Sequence, residues 1–172
     1  MAKDITFEVR YIESSLNVLA DRGSRADFSP SENCLDPSTV SLGFVLAGIN
    51  PRVAVDLCAT LVSSKCDFYI SPCPDNSPGC LGTDVRCVDW SRFDQIYLFP
   101  PFQILELLLP KIEVFQGRAL IIAPQTPLAT PVLSSRARLA RRLPSSYFLY
   151  QKDFRGEVVL RPKFHDLWMW VI

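Results

Sequence analysis

The stretch that decides the fold is "QIYLFPPFQILELLLPKIEVFQGRALIIAP", residues 95–124. It opens with an apolar, strand-like run that stops at two prolines, continues as a long helical pattern, and ends in "RALIIAP", the clearest strand in the chain. Pro110 predicts a kink or a restart of the helix. One face of that helix collects four apolar residues: Ile104, Leu105, Leu108 and Ile112.

The same alternation extends in both directions from this stretch. Upstream, "VAVDLCA" (53–59) and "CDFYIS" (66–71) are predicted strands, and "PCPDNSPGCLGTD" (72–84) is predicted to be turn-rich. "DPSTVSLGFVLAG" (36–48) predicts a helix with Asp36 as N-cap, Pro37 at its first position and Gly48 as its stop. Downstream, "SSRARLARRL" (134–143) is predicted to be helical. Three late strands follow: "YFLY" (147–150), "EVVLR" (157–161) and "LWMWVI" (167–172). Alternating strands and helices indicate an α/β sandwich around a mainly parallel sheet, with late antiparallel strands.

Length and composition favour one compact folded domain. The chain has 172 residues, 48% of them apolar, and a formal net charge of zero, which excludes a disordered or strongly polyanion-seeking chain. No apolar run approaches the ~20 residues of a membrane span. The start, "MAKDITFEVR", has charges where a signal peptide has its apolar stretch, which predicts an intracellular protein, cytoplasmic or nuclear.

The six cysteines do not have the spacing of a metal site. Five of them, from Cys58 to Cys87, lie seven or eight residues apart, and no Cys-x-x-Cys pair occurs. His165 is the only histidine. Because zinc clips use closely spaced pairs, we expect no metal and predict free thiols, some of them buried.

Residues 1–36 differ in pattern from residues 37–172. They predict a short strand at Phe7–Tyr11, a short helix from Ser14 that breaks near Gly23, and then a turn-rich connecting loop. We therefore predict two parts, an N-terminal segment (1–36) and an α/β domain (37–172).

The position of any active site follows from the fold class. In an open α/β sheet, ligands bind beyond the carboxyl ends of the strands. The turns in question are Cys58-Ala59-Thr60, Pro100-Pro101-Phe102 and Pro124-Gln125-Thr126.

Three segments together resemble the phage-type DNA adenine methyltransferases. These are "DLCATLVSSKCDFY" (56–69), "DVRCVDWSRFDQIYLFPPF" (84–102) and "GRALIIAPQTPLATPVL" (117–133). That family has Asp-x-Cys-Ala-Ser, then Asn-Ala-Lys-Cys, later Asn-Pro-Pro-Tyr or Phe, and an apolar strand ending in Pro. The resemblance implies a Rossmann-like methyltransferase sandwich that takes S-adenosylmethionine as cofactor.

The chain is similar over nearly its whole length to part of the polyproteins of DIRS-type tyrosine-recombinase retroelements. "YIESSLNVLADRGSR" (11–25) resembles the end of their ribonuclease H, and "FHDLWMWVI" (164–172) resembles the stretch before the recombinase. The resemblance makes residues 7–25 a ribonuclease H remnant in which Asp21 corresponds to a metal-binding carboxylate. One carboxylate on a short remnant cannot build a two-metal site, so ribonuclease activity is not expected.

The resemblance also implies a cofactor site. Asp56 and the turn Cys58, Ala59 and Thr60 would hold S-adenosylmethionine through backbone amides and a nearby acid, and Asp84 would lie near its adenosine half. The alternative for Asp56 is a turn cap, and for Cys58 a small apolar packing residue. Ser63 stands where the family has Asn.

The catalytic loop implied by the resemblance is Phe99, Pro100, Pro101 and Phe102. The Pro100 carbonyl would accept one hydrogen of the target amine, and Phe102 would stack on the extruded base. The family's Asp or Asn, which accepts the second hydrogen, is replaced by Phe99, which has no acceptor. Phe99 is alternatively a core residue at the end of its strand.

Three arginines and three tryptophans each allow a functional and a purely structural interpretation. On a helix, Arg138, Arg141 and Arg142 would share a face that follows nucleic-acid phosphates, or would form an ordinary solvated surface. The tryptophans are core anchors or base-stacking platforms: Trp90, Trp168 and Trp170. In a strand, Trp168 and Trp170 fall on the same face of the sheet.

Three functions remain open on these residues. The first is a degenerate, non-catalytic adenine-methyltransferase-like domain that binds nucleic acid or a protein partner, with cofactor binding retained or lost. The second is an active S-adenosylmethionine-dependent DNA or RNA adenine methyltransferase. The third is a structural subunit of a larger assembly. Phe99 favours the first, because losing one well-placed acceptor costs about 3 kcal/mol of transition-state stabilisation. No membrane partner is expected.

Overall fold

The computed structural model describes residues 34–143, 149–152, 158–161 and 166–172. Phe7–Tyr11, the helix predicted from Ser14, and Asp21 lie outside the described residues. Within the described ranges there are three α-helices: α1 (Pro37–Ala47), α2 (Phe102–Val114) and α3 (Ala129–Arg136), together with a 3₁₀ turn at Trp90–Arg92. The strands are β1 (Cys34–Leu35), β2 (Val55–Asp56), β3 (Phe68–Ser71), β4 (Cys80–Thr83), β5 (Gln95–Leu98), β6 (Arg118–Pro124), β7 (Leu139–Arg142), β8 (Leu149–Lys152), β9 (Val158–Arg161) and β10 (Leu167–Val171).

Seven of these strands form one sheet in the order β4-β3-β2-β5-β6-β10-β7. Neighbours from β4 to β6 are parallel, whereas β10 is antiparallel to both β6 and β7. The first five strands follow the doubly wound order of α/β folds. The antiparallel β10, placed between β6 and β7, makes this the Rossmann-like methyltransferase fold, which confirms the predicted fold class.

Alternation along the central strands builds a core on each face of the sheet. Ile96, Leu98 and Trp170 belong to one buried cluster, which α2 and α3 cover, while Tyr97 and Met169 belong to a second cluster under α1. Because successive side chains in a strand point to opposite faces, strands buried on both sides must be apolar throughout. That requirement explains the unbroken apolar run in β6.

Helix α1 begins and ends at the residues that the sequence predicts. The Asp36 side chain accepts a hydrogen bond from the Thr39 backbone N–H at 2.9 Å, and Pro37 occupies the first turn. Gly48 ends the helix in the left-handed region, at φ +62°, which a residue without Cβ adopts at little cost. The predicted caps are confirmed.

Helix α2 runs without interruption through Pro110. Of the two predicted effects of this proline, the restart is therefore wrong, and the kink stays a prediction. Its predicted apolar face is largely confirmed: Leu105, Leu108 and Ile112 are buried, and Ile104 is partly buried.

The predicted helix over residues 134–143 is wrong in its second half. Helix α3 ends at Arg136, and β7 begins at Leu139 and pairs with β10. Ala, Leu and Arg favour helix in isolation, but the hydrogen bonds offered by the free edge of β10 override that preference. All four residues of β7 are exposed, and arginines on such an edge discourage pairing with another chain.

The turn-rich stretch 72–84 likewise contains a strand that the sequence does not predict. Residues Cys80–Thr83 form β4 at the opposite edge, paired with β3 through an irregular register. Gly82 and the half-exposed positions of β4 leave no apolar pattern for a sequence reading to detect.

A second, smaller sheet contains three strands in the order β1-β8-β9, all antiparallel. Its first strand brings Leu35 into the core cluster under α1, where the side chain is completely buried. Leu35 falls within the predicted N-terminal segment 1–36, and the division of the chain at residue 36 stays a prediction. None of the helices in the described ranges has the length and apolar character needed to cross a bilayer.

Candidate functional site

A cavity of about 440 Å³ opens where β2, β3, β4 and β5 end. Because these strands are parallel, their carboxyl ends meet at one edge of the sheet, the edge at which such folds bind ligands. The cavity is within the size range of small-molecule sites. Seven of the predicted site residues line it together: Asp56, Cys58, Asp84, Phe99, Pro100, Pro101 and Phe102. Ala59 and Thr60 are not among the lining residues.

Asp56, the last residue of β2, is the buried carboxyl group of this site. Only 2% of the residue is exposed. Its two oxygens accept hydrogen bonds from the backbone N–H groups of Cys58, at 3.3 Å, and Lys65, at 3.0 Å. Asp56 therefore fixes both ends of the loop between β2 and β3, as the turn-cap alternative predicts, and it also contributes to the cavity wall.

The backbone amides of the turn after β2 are already used within the protein. The Leu57 N–H donates to the Tyr97 carbonyl at 2.9 Å and the Ala59 N–H to the Ile70 carbonyl at 3.2 Å. The Thr60 N–H donates to the Ser63 hydroxyl at 2.9 Å. Together with the bond from Cys58 to Asp56, these contacts occupy the N–H groups of the turn. These internal bonds compete with the predicted amide cradle at 58–60, which stays a prediction. Lys65 and Arg86 are cations that line the cavity.

Asp84 lies at the end of β4, on the far side of the cavity. Its backbone is in the left-handed region at φ 60°, which Asp tolerates better than most residues, and its N–H donates to the Ser71 carbonyl at 2.8 Å. The Arg86 guanidinium binds both carboxylate oxygens, at 2.9 and 2.7 Å. Hydrogen bonds from the Arg86 side chain and backbone lower the pKa of Asp84 to about 2, so the group is ionised at neutral pH.

Cys58 is unsuited to act as a nucleophile. Burial, followed by the negative charges of Asp56 and Asp84, raises the pKa of the Cys58 thiol. The nucleophilic form of cysteine is the thiolate, so Cys58 stays a protonated, weakly polar wall residue.

The loop after β5 supplies the apolar wall. Pro100 is buried, and Phe99 and Phe102 are partly buried. Both rings pack against the core cluster under α1 while also lining the cavity. The two readings of Phe99, as core and as site residue, therefore both apply. Its ring offers no hydrogen-bond acceptor at this position.

Sequence reasoning missed several wall residues. Leu35 comes from β1, far along the chain from the other strands, and no local signal connects it to the site. The sequence does indicate Arg86, because an arginine two residues after an aspartate can fold back and pair with that carboxylate. Lys65 matches the lysine of the family's Asn-Ala-Lys-Cys, which could have pointed to it.

The predicted arginine face does not exist as a helix surface. Arg138 lies between α3 and β7, and its guanidinium donates to the Leu46 and Ala47 carbonyls at the end of α1. Arg142 pairs with Asp166 at 2.6 Å. Arg141 and Arg142 are consecutive strand residues and therefore point to opposite faces. A nucleic-acid role for these arginines stays a prediction, without the shared face that suggested it.

The tryptophans pack in or against the core. Trp90 and Trp170 are 4% and 1% exposed, and Trp168 is partly buried. Trp168 and Trp170 stack with ring centroids 5.8 Å apart, on one face of the sheet as the strand alternation predicts. The Trp90 indole N–H donates to the Val85 carbonyl at 3.0 Å.

The cysteines and potential metal ligands give no further site in the described part of the chain. The cysteines whose side chains are described are free, and no group of three His, Cys, Asp or Glu residues there is placed to hold a metal ion.

The side chains that line the cavity fit an S-adenosylmethionine-type ligand by size and polarity. Two carboxylates, Asp56 and Asp84, can accept hydrogen bonds from ribose hydroxyls or an amine. Ile70 and Val85 give an apolar surface for a base, and Lys65 supplies a positive charge for a carboxylate. These residues would hold the cofactor.

Removing the Asp56 carboxyl group should loosen this part of the protein. Asp56→Ala leaves the N–H groups of Cys58 and Lys65 without that acceptor, and we expect the free energy of unfolding to fall by about 1.5–3 kcal/mol. Asp67→Ala is the matched control, because Asp67 is exposed and should change stability by less than about 0.5 kcal/mol. Urea denaturation of both variants checks this, and equal midpoints would contradict the role given to Asp56.

Likenesses to known proteins are found among solved structures. No family model and no curated protein matches the chain. Among solved structures, it is similar to an S-adenosylmethionine-dependent O-methyltransferase from Thermotoga maritima. The identity is 12% and the TM-score 0.47, over 91% of this chain and 71% of that one. The fold assignment rests on the strand order rather than on this likeness.

Proposed function

We propose that the chain is a methyltransferase-like domain that binds S-adenosylmethionine and its demethylated product but does not methylate amines efficiently. The observation behind this proposal is the single cavity that joins Asp56 and Asp84 to the Phe99–Phe102 loop. When bound, the cofactor would supply an electrophilic methyl group on sulfonium. The chain's own residues would hold and orient it.

The weak step in any amine methylation is the handling of the amine. The Pro100 carbonyl can accept one of its hydrogens, but Phe99 cannot accept the other. A missing acceptor in such a site lowers the rate by on the order of a hundredfold or more. With transfer so reduced, we propose that binding is the function of the domain, with a nucleic acid or a protein as partner.

The resemblance to DIRS-type retroelement polyproteins supports a further part of the proposal, an origin as a fragment of such an element.

One observation favours the alternative, an active adenine methyltransferase. Pro100, Pro101 and Phe102 all line the cavity beside the proposed cofactor position, so a base could be presented there. The two proposals share the cofactor and differ in turnover.

Calorimetric titration with S-adenosylmethionine and with its demethylated product tests the proposal. We expect micromolar dissociation constants, and Asp84→Ala should weaken binding by about tenfold, the effect of losing one hydrogen bond to a charged group. Asp89→Ala is the control, because Asp89 caps the 3₁₀ turn away from the cavity. If millimolar ligand produces no binding, the domain has lost its cofactor and the proposal fails.

A further inference from the structure

We propose that the cavity selects the cationic sulfonium form of its ligand over the neutral thioether product, and that Phe99 provides the selectivity. This inference rests on the proposed function, because it assumes that both ligands enter the cavity. It adds a role: the domain would respond to the ratio of the two ligands instead of converting one into the other.

Aromatic side chains form one wall of the cavity. Tyr97, Phe99 and Phe102 all line it, and they come from the end of β5 and the loop that follows. Tyr97 is held by Phe44, edge to face, at a centroid distance of 5.4 Å. Phe99 and Phe102 pack against the same core cluster but keep part of each ring accessible. The core therefore fixes the rings in place at the cavity.

The charges that line the cavity balance one another. Two carboxylates, Asp56 and Asp84, face two cations, Lys65 and Arg86. Arg86 is bound bidentately to Asp84, so its charge is largely matched. With Asp84 and Arg86 matched, Asp56 and Lys65 contribute one charge of each sign, so the aromatic wall is the contact that can tell a cation from a neutral ligand.

The sulfonium is the kind of cation that an aromatic wall recognises. It has no N–H to donate, so a carboxylate cannot hold it through a hydrogen bond. Ring faces attract a cation through their quadrupole without any donor. The product has the same adenosine and amino-acid parts and lacks only the methyl group and its positive charge. Contact with a ring face therefore gives the sulfonium a higher affinity than the neutral product.

Phe99 can favour binding of the sulfonium without promoting methyl transfer, whereas the family's Asp or Asn would promote transfer. An acceptor at position 99 would bind a target amine and promote transfer, whereas a phenyl ring leaves the methyl group on the ligand. The same substitution that weakens catalysis thus permits a stable complex with the sulfonium. Cation–π attraction is worth a factor of roughly 2 to 30 in affinity, depending on how fully the site excludes water.

Titration of four proteins with both ligands tests the inference. The proteins are the wild type, Phe99→Leu, Phe99→Tyr and the control Phe93→Leu, whose ring packs in the other core cluster and does not line the cavity. We expect the wild type to prefer the sulfonium. Phe99→Leu should lose at least threefold of that preference through weaker sulfonium binding alone, while Phe99→Tyr and Phe93→Leu keep it. Phe99→Met replaces Phe99→Leu if the latter does not fold.

Each other outcome has a defined meaning. Equal affinity of the wild type for the two ligands, or a ratio that Phe99→Leu leaves unchanged, overturns the selectivity and leaves the proposed function standing. Failure of both ligands to bind the wild type overturns the proposed function and the selectivity with it.

Discussion

Phe99→Asn is expected to raise methyl transfer to an adenine-containing oligonucleotide by on the order of a hundredfold over the wild-type protein. The asparagine carbonyl restores an acceptor opposite the Pro100 carbonyl, so that both hydrogens of the amine can be held while the nitrogen attacks. The gain should appear in the rate of transfer at saturating S-adenosylmethionine, whereas loss of the phenyl ring should weaken binding of the sulfonium. Transfer of a labelled methyl group from S-adenosylmethionine measures it directly.

Phe99→Leu is the control for this experiment, since it opens the same space without adding an acceptor. At saturating S-adenosylmethionine it should leave transfer at the wild-type level. If Phe99→Asn still binds S-adenosylmethionine but gains no transfer, the missing acceptor is not the reason for low activity, and the defect lies elsewhere in the loop.

Trp170→Ala is expected to lower the free energy of unfolding by about 3–5 kcal/mol, the usual cost of removing a buried large aromatic side chain. Trp170 is 1% exposed, stacks on Trp168, and lies on β10 in the interior of the main sheet. A loss of this size is a large share of the stability of an ordinary domain. Denaturation in urea or guanidinium gives the value.

Two further variants make the stability result specific. Leu107→Ala changes a side chain that is 60% exposed on the outer face of α2 and should cost less than about 0.5 kcal/mol. Trp170→Phe should cost less than Trp170→Ala, because the Nε1–H of Trp170 has no hydrogen-bond partner among the described residues. A Trp170→Ala loss no larger than that of Leu107→Ala would mean that β10 is not integral to the core.

Local signals explain the parts of the fold that the sequence predicts correctly. Helix α1 has its cap, its proline and its terminal glycine within 13 consecutive residues, 36–48, so its bounds need no tertiary information. Strand β6 is buried on both faces and therefore apolar at nearly every position. The two edge strands, β4 and β7, lack such a pattern, because a strand with few buried side chains is defined by its hydrogen-bond partner.

The candidate site likewise has a part that the sequence predicts and a part that depends on contacts between distant residues. Asp56, Asp84 and the Phe99–Phe102 loop could be predicted because they follow predicted strands or match family motifs, and the cavity brings them together. The internal use of the Leu57 and Ala59 amides could not be predicted, since their acceptors on Tyr97 and Ile70 lie on neighbouring strands. Leu35 reaches the wall through pairing of β1 with β8, more than a hundred residues later.

The position of β10 has a consequence for synthesis of the protein. Strands β6 and β7 are made first, yet neither pairs with the other, and the strand that joins them ends at Val171. Until residues 167–171 have left the ribosome, β6 presents an apolar open edge to other nascent chains. A chaperone that shields this edge during synthesis should therefore improve the yield of folded protein.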